Sequence, residues 1–219
     1  PEGSELSAKT DQHKLYYHEI GTPQSEDDLI FGGTQAEKHR YVGGYVTEDD
    51  RFLVVSAANS TSGNKLYIKD LTQPDSELVL VDGNMDYDTS VLTSQDGTLY
   101  LETNMEAPNG RVVTVDASNP TPENWQDFIA HSEHVLNPST GAGYIFAEYM
   151  VDAVSKVEQY DYDGKKVRDI ALPGVGSASG FSEKKDAEKV YYSFTNYSTP
   201  STIYEMNPET GESTVYEES

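Results

Sequence analysis

The sequence predicts an all-β chain, a β-propeller of about four and a half four-stranded antiparallel blades. Three observations predict it: two strand families that share one step, a unit of four strands, and short polar turns between them. The first family reads Lys14-Leu15-Tyr16-Tyr17, Lys65-Leu66-Tyr67-Ile68, Arg111-Val112-Val113-Thr114, Lys156-Val157-Glu158-Gln159 and Thr202-Ile203-Tyr204-Glu205. Its spacings are 51, 46, 45 and 46 residues. The second family starts at Phe52, Thr98, Gly143 and Lys189, spaced 46, 45 and 46. Two independent strand types on one step point to a repeated unit, and four strands in roughly 45 residues is the period of a propeller blade.

Two weaker strands complete each unit. An earlier one covers Tyr41 to Val46, Tyr87 to Leu92, His134 to Leu136 and Ser177 to Phe181. A later one covers Leu78 to Val81, Asp127 to Ile129, Arg168 to Ala171 and Ser213 to Tyr216. The expected blades lie at about 40–82, 86–130, 133–172 and 176–217, after a half blade at 14–31 that keeps only its last two strands. Together they form one partial propeller domain over 1–219. Helix-long apolar stripes, which a helical solenoid needs, are missing. The connections are rich in Gly, Asn, Asp, Ser and Pro, as antiparallel turns require. A half blade leaves open edges, so either strands are missing on the N-terminal side, the favoured reading, or two chains complete each other. Self-association through the open blade edges is one expectation.

Composition narrows the partners. With 38 Asp and Glu against 15 Lys and Arg, the net charge is -23, which repels phosphate backbones and anionic lipid. Neither nucleic acid nor a membrane is expected as a partner. There is no run of about 18 apolar residues. Residues 1–5 lack the basic and apolar pattern of a signal peptide, and the missing initiator Met suggests processing or excision. No cysteine is present, which rules out disulfides and thiolate metal sites and suits cytoplasm or periplasm alike.

Catalytic motifs are scarce. The nearest approach to a Gly-x-Ser-x-Gly elbow, Gly174 to Gly180, centres on Ala178 and reads as close backbone packing. His131 and His134 lack a third ligand nearby in sequence, and neither a metal nor another cofactor is expected. His39 with Arg40 precedes an inner strand and could face the central channel, though a solvated turn is the favoured reading. The acidic groups Glu26-Asp27-Asp28, Glu48-Asp49-Asp50 and Asp86 with Asp88 fall in turns; Glu48-Asp49-Asp50 and Gln95-Asp96-Gly97 hold the same place in successive blades.

Several ordered phrases resemble the propeller of the prolyl oligopeptidase (prolyl endopeptidase) family, in its bacterial form. They are His13 to His18 with Gly21 to Asp27, Val42-Gly43-Gly44 with Thr47 to Arg51, Ala107-Pro108-Asn109 with Arg111, and Tyr192 to Thr195 through Pro200 to Ile203-Tyr204. The resemblance spans essentially the whole chain. It implies part of a seven-bladed parent propeller that caps an α/β-hydrolase domain. The Ser-Asp-His triad of that domain cleaves short peptides after proline, and the propeller gates access. This chain then carries no catalytic residue, and the hydrolase domain lies downstream. The resemblance also places Val42 and the loop Ala58 to Thr61, Asn59 and Thr61 in particular, at the substrate pocket. Some members carry an arginine in that loop, whereas here none occurs between Arg51 and Arg111. Two other readings stay open: a stand-alone propeller that binds a peptide or protein partner, and a propeller glycosidase or lyase using Asp86 and Asp88.

Overall fold

A computed structural model describes residues 11–218. It contains eighteen β-strands and three single-turn 3-10 helices among the described residues. The chain divides into two compact units: residues up to Ser90 with 119–124, and residues 91–118 with those from Trp125 on.

The first unit holds a two-stranded sheet, β1 (Leu15–Tyr17) with β2 (Asp28–Phe31). It also holds a four-stranded meander of β3 (Tyr41–Val46), β4 (Phe52–Ala58), β5 (Lys65–Asp70) and β6 (Val79–Asp82). Alternation sets the faces of β4: Phe52 and Val54 point one way, Val55 and Ala57 the other, and all four are buried. Val55 and Ala57 pack with Phe31 and Val42, flanked by Leu15, Leu53 and Tyr67.

The second unit carries three meanders of the same order. The strands are β7 to β10 (Thr89–Gln95, Thr98–Thr103, Arg111–Asp116, Gln126–Ile129), of which β7 starts in the first unit. Then come β11 to β14 (Leu136–Gly141, Tyr144–Val151, Val154–Tyr160, Lys166–Asp169) and β15 to β18 (Ser177–Gly180, Val190–Thr195, Thr202–Met206, Ser213–Glu218). One core layer gathers Tyr100, Val112, Leu136, Ile145 and Tyr149. A second is built on aromatic stacking: Phe181 lies 4.7 Å from Tyr192 at 8°, and Tyr192 5.4 Å from Tyr204 at 12°.

Every pairing of a third with a fourth strand carries a bulge, always with the extra residue on the fourth strand. Leu15 pairs Phe31 and Tyr16 pairs Leu29, leaving Ile30 over; Leu66 pairs Asp82 and Tyr67 pairs Leu80, leaving Val81. Phe128, Val167 and Tyr216 are the extra residues in the other three. A bulge bends a strand and sharpens its twist.

The first hairpins turn through left-handed residues, Asp50 at φ 56°, Asp96 at φ 51° and Ala142 at φ 51°. At the first of them Thr47 Oγ1 donates to Asp49 Oδ1 at 2.6 Å and accepts from the Phe52 amide at 3.0 Å. These acidic groups therefore serve as turn residues.

Two expectations change. The first strand of the third blade, read from sequence as His134 to Leu136, instead runs Leu136–Gly141 through Pro138. Proline has no amide to donate, and β11 is an edge strand, where that loss is tolerated. His39, read as part of a solvated turn, is 3% exposed, with its ring 6.1 Å from that of Phe31.

Candidate functional site

The residues singled out for substrate contact lie at one end of the β3–β6 sheet. Tyr41 pairs with Ala58 there, and the connections 59–64 and 83–88 leave from the same end. Asn59 is exposed and held from two sides: its Oδ1 accepts the Arg40 amide at 3.2 Å, and its Nδ2 reaches the Met85 sulfur at 4.0 Å. Thr61 is exposed on the same loop. Val42 sits differently. Alternation along β3 turns its side chain inward against Phe31, Val55 and Ala57, and its amide donates to His13 Nδ1 at 3.1 Å. The structure thus brings Asn59 and Thr61 onto one exposed loop and puts Val42 in the core, paired with Ala57 near the end of β4.

Sequence reasoning missed two neighbours. The Arg40 guanidinium lies 5.5 Å from the centre of the Tyr41 ring, and that ring is half exposed. Arg40 supplies at this end of the sheet an arginine that the 52–110 stretch lacks. Its position just before β3 was the available signal.

A second set of contacts fixes the loop. Gly63 has φ +76°, and a Cβ there would run into the Met85 carbonyl oxygen. Its amide donates to Asp88 Oδ1 at 2.8 Å. Asp82, 1% exposed, accepts from the Asn84 amide and the Thr89 hydroxyl, both at 2.8 Å. The Asp82 and Asp88 carboxylates are thereby engaged with backbone amides.

Elsewhere, titratable groups respond to burial. Glu102 of β8 and Glu148 of β12 occupy equivalent steps, opposite Val112 and Val157, and burial raises both carboxyls above the usual glutamate range. They lie on different sheets. Tyr100 is pushed up to about 12, by burial first and then by Tyr162 and Asp163 nearby; its hydroxyl donates to the Tyr162 carbonyl at 2.8 Å. Glu158 goes the other way. Burial opposes its ionisation, but hydrogen bonds from Lys156 Nζ at 2.8 Å, Lys166 Nζ at 2.8 Å and Tyr160 at 2.6 Å outweigh that and hold it at about 2.

The other motifs have structural partners. His18 Nδ1 sits 2.7 Å from Asp27 Oδ1, and His134 Nε2 lies 3.7 Å from Glu133 Oε1. Among the described residues no group of three or more His, Cys, Asp or Glu side chains gathers to hold a metal ion. In the stretch 174–180, Gly176 lies against the Thr195 carbonyl and the Phe194 ring, with no room for a Cβ.

The family described as prolyl oligopeptidase, N-terminal beta-propeller domain, matches residues 1–219. The chain is 51% identical over 216 residues to a prolyl endopeptidase of Elizabethkingia meningoseptica, covering 99% of this chain and 30% of that protein. It is 49% identical over 218 residues to a prolyl endopeptidase of Elizabethkingia miricola, with the same coverage. A solved chain from a structural study of two prolyl endopeptidases superposes with a TM-score of 0.84 at 28% identity, over 98% of this chain and 32% of that one. Prolyl oligopeptidase B of Galerina marginata, bound to a 35mer hydrolysis and macrocyclization substrate, shares the fold with a TM-score of 0.83 at 21% identity, over 98% and 31%.

Proposed function

The chain belongs to the N-terminal β-propeller family of the prolyl oligopeptidases, and from that premise we propose that it is the gating part of a serine-type peptidase that cleaves short peptides after proline. One observation carries the reading: the family match runs along all 219 residues, while the chain spans about 30% of the bacterial prolyl endopeptidases it matches. The chemistry then belongs to an α/β-hydrolase domain elsewhere in the full-length protein. The role of these blades is to present a peptide to that domain and to keep folded proteins out. Asn59 and Thr61 face the substrate on their exposed loop, backed by Val42 and flanked by Arg40 and Tyr41.

A direct experiment is to express the full reading frame and the 219-residue chain side by side. The full protein is expected to hydrolyse a short prolyl amide substrate and to spare a folded protein with exposed prolines. The chain alone is expected to be inactive, since nucleophile, base and oxyanion donors act as one unit. Hydrolysis by the rigorously purified chain ends this reading. So does a full reading frame without a Gly-x-Ser-x-Gly nucleophile turn, which supports a stand-alone binding propeller instead.

A further inference from the structure

Arg40 ends a connection that holds its own shape. Glu37 Oε2 accepts the amides of Gly32, Gly33 and Thr34 at 3.2, 3.0 and 3.2 Å. His39 is buried beside Phe31, and its carbonyl accepts the His13 amide at 2.9 Å. The next residue turns outward: Arg40 is exposed, with its own amide bound to Asn59 Oδ1. Tyr41 then enters β3 opposite Ala58. The Arg40 backbone is thus fixed from both sides, by a buried ring before it and a strand pair after it. Its guanidinium rests over the half-exposed Tyr41 ring. Contact with the ring face restricts a long side chain in advance, so less freedom is lost when a ligand binds it.

The surroundings select the ligand. At a net charge of -23 the chain repels an anionic peptide at long range, so such a peptide gains only where a cation meets it directly. The loop 59–64 beside Arg40 contains no charged residue. A planar guanidinium presents paired N–H donors that match the two oxygens of a carboxylate, which an ammonium does not. We propose that Arg40, held over Tyr41, is a specificity-determining residue that binds a carboxylate of the peptide substrate. The inference deepens the peptidase reading and rests on it for the peptide itself. A short peptide offers that chemistry in two places, its free C-terminus and an Asp or Glu side chain.

The test uses the full-length protein and three prolyl peptides of equal length. One ends in a free carboxylate, the second in an amide, and the third in an amide with one neutral residue after the proline replaced by Glu. Arg40→Ala is expected to lower kcat/KM for a carboxylate-bearing peptide relative to the neutral amide by roughly fivefold to tenfold, chiefly through KM. Arg40→Lys is expected to fall between, since it keeps the charge and loses the fork. A selective loss with the first peptide assigns the contact to the C-terminus, and one with the third to an acidic side chain. Equal losses with all three peptides, or none, overturn the proposal. Lys65 begins β5 at the same end of the sheet, so Lys65→Ala tests charge alone. An effect as large as that of Arg40→Ala also overturns the proposal. If the wild-type protein cleaves none of the three, the peptidase reading fails, and calorimetric binding of the same peptides decides on Arg40 by the same ratios of Kd.

Discussion

Asn64 and Thr89 clasp each other through both ends of one amide: the Thr89 N–H donates to Asn64 Oδ1 at 2.9 Å, and Asn64 Nδ2 donates to the Thr89 carbonyl at 2.9 Å. Both residues are nearly dry, 8% and 3% exposed. A side-chain amide here does what a backbone pair does in a sheet, and it ties the start of β5 to the start of β7. The same step of the repeat is served at Ser155, whose hydroxyl accepts the Ala178 amide at 2.9 Å and donates to the Ala178 carbonyl at 3.2 Å.

Asn64→Ala removes both buried hydrogen bonds to the Thr89 backbone. The expected cost is about 2–3 kcal/mol, read as a lower urea midpoint at unchanged slope. Thr61→Ala, on the exposed part of the same loop, is expected to stay within about 0.5 kcal/mol. Equal losses in the two variants would contradict the clasp.

Gly63→Ala is expected to be worse tolerated than either. The position combines φ +76° with the Met85 carbonyl oxygen where a Cβ would go, so the loop must move. A loss of about 3 kcal/mol or more is expected, with part of the chain insoluble on expression. Gly43→Ala is the control, since nothing lies within 4 Å of its Cβ position.

Acid stability depends on Glu158. Its carboxyl is held at about 2 in the folded chain against 4.5 ordinarily, so its contribution is complete above pH 4.5 and disappears as pH falls through 2. The shift corresponds to about 3 kcal/mol, trimmed towards roughly 2 because both lysines remain partly exposed to salt. Glu158→Gln is expected to flatten this part of the stability–pH curve, measured by urea denaturation between pH 2 and 6.

Glu102 and Glu148 carry the opposite sign. Burial raises their carboxyls in the folded state, so the folded chain is penalised once pH climbs above the ordinary glutamate range. Glu102→Gln and Glu148→Gln are each expected to stabilise the chain at pH 7, by a few tenths to about 1 kcal/mol, and to leave stability at pH 3 unchanged. A loss at pH 7 would point to a partner for the charged carboxylate.

The second and third strands were legible in the sequence because their apolar residues recur on a fixed step, with tyrosines where one end stays wet. The fourth strands were legible only within a few residues. Ile30, Val81, Phe128, Val167 and Tyr216 each insert a residue that breaks alternation, and alternation was the signal being read. β11 was displaced because Pro138 and Gly141 carry the composition of a turn. At the candidate site, the loop of Asn59 and Thr61 was visible as a gap between two strands. The Asn64 clasp was not, since it depends on a residue 25 positions away. The inward aim of Val42 follows from its place between Tyr41 and Gly43 once the extent of β3 is known.

The surplus residue in each outer strand also governs how the repeat tolerates changes in length. Removing one codon there, at Val81 for example, takes out the surplus residue, lets Leu80 and Asp82 keep Tyr67 and Leu66 as partners, and leaves the three strands inside it in phase. Removing one from β4 would exchange the faces of every residue beyond the gap in a strand buried on both sides. Insertions and deletions should therefore accumulate at the rim of each blade, where a frame error stays local.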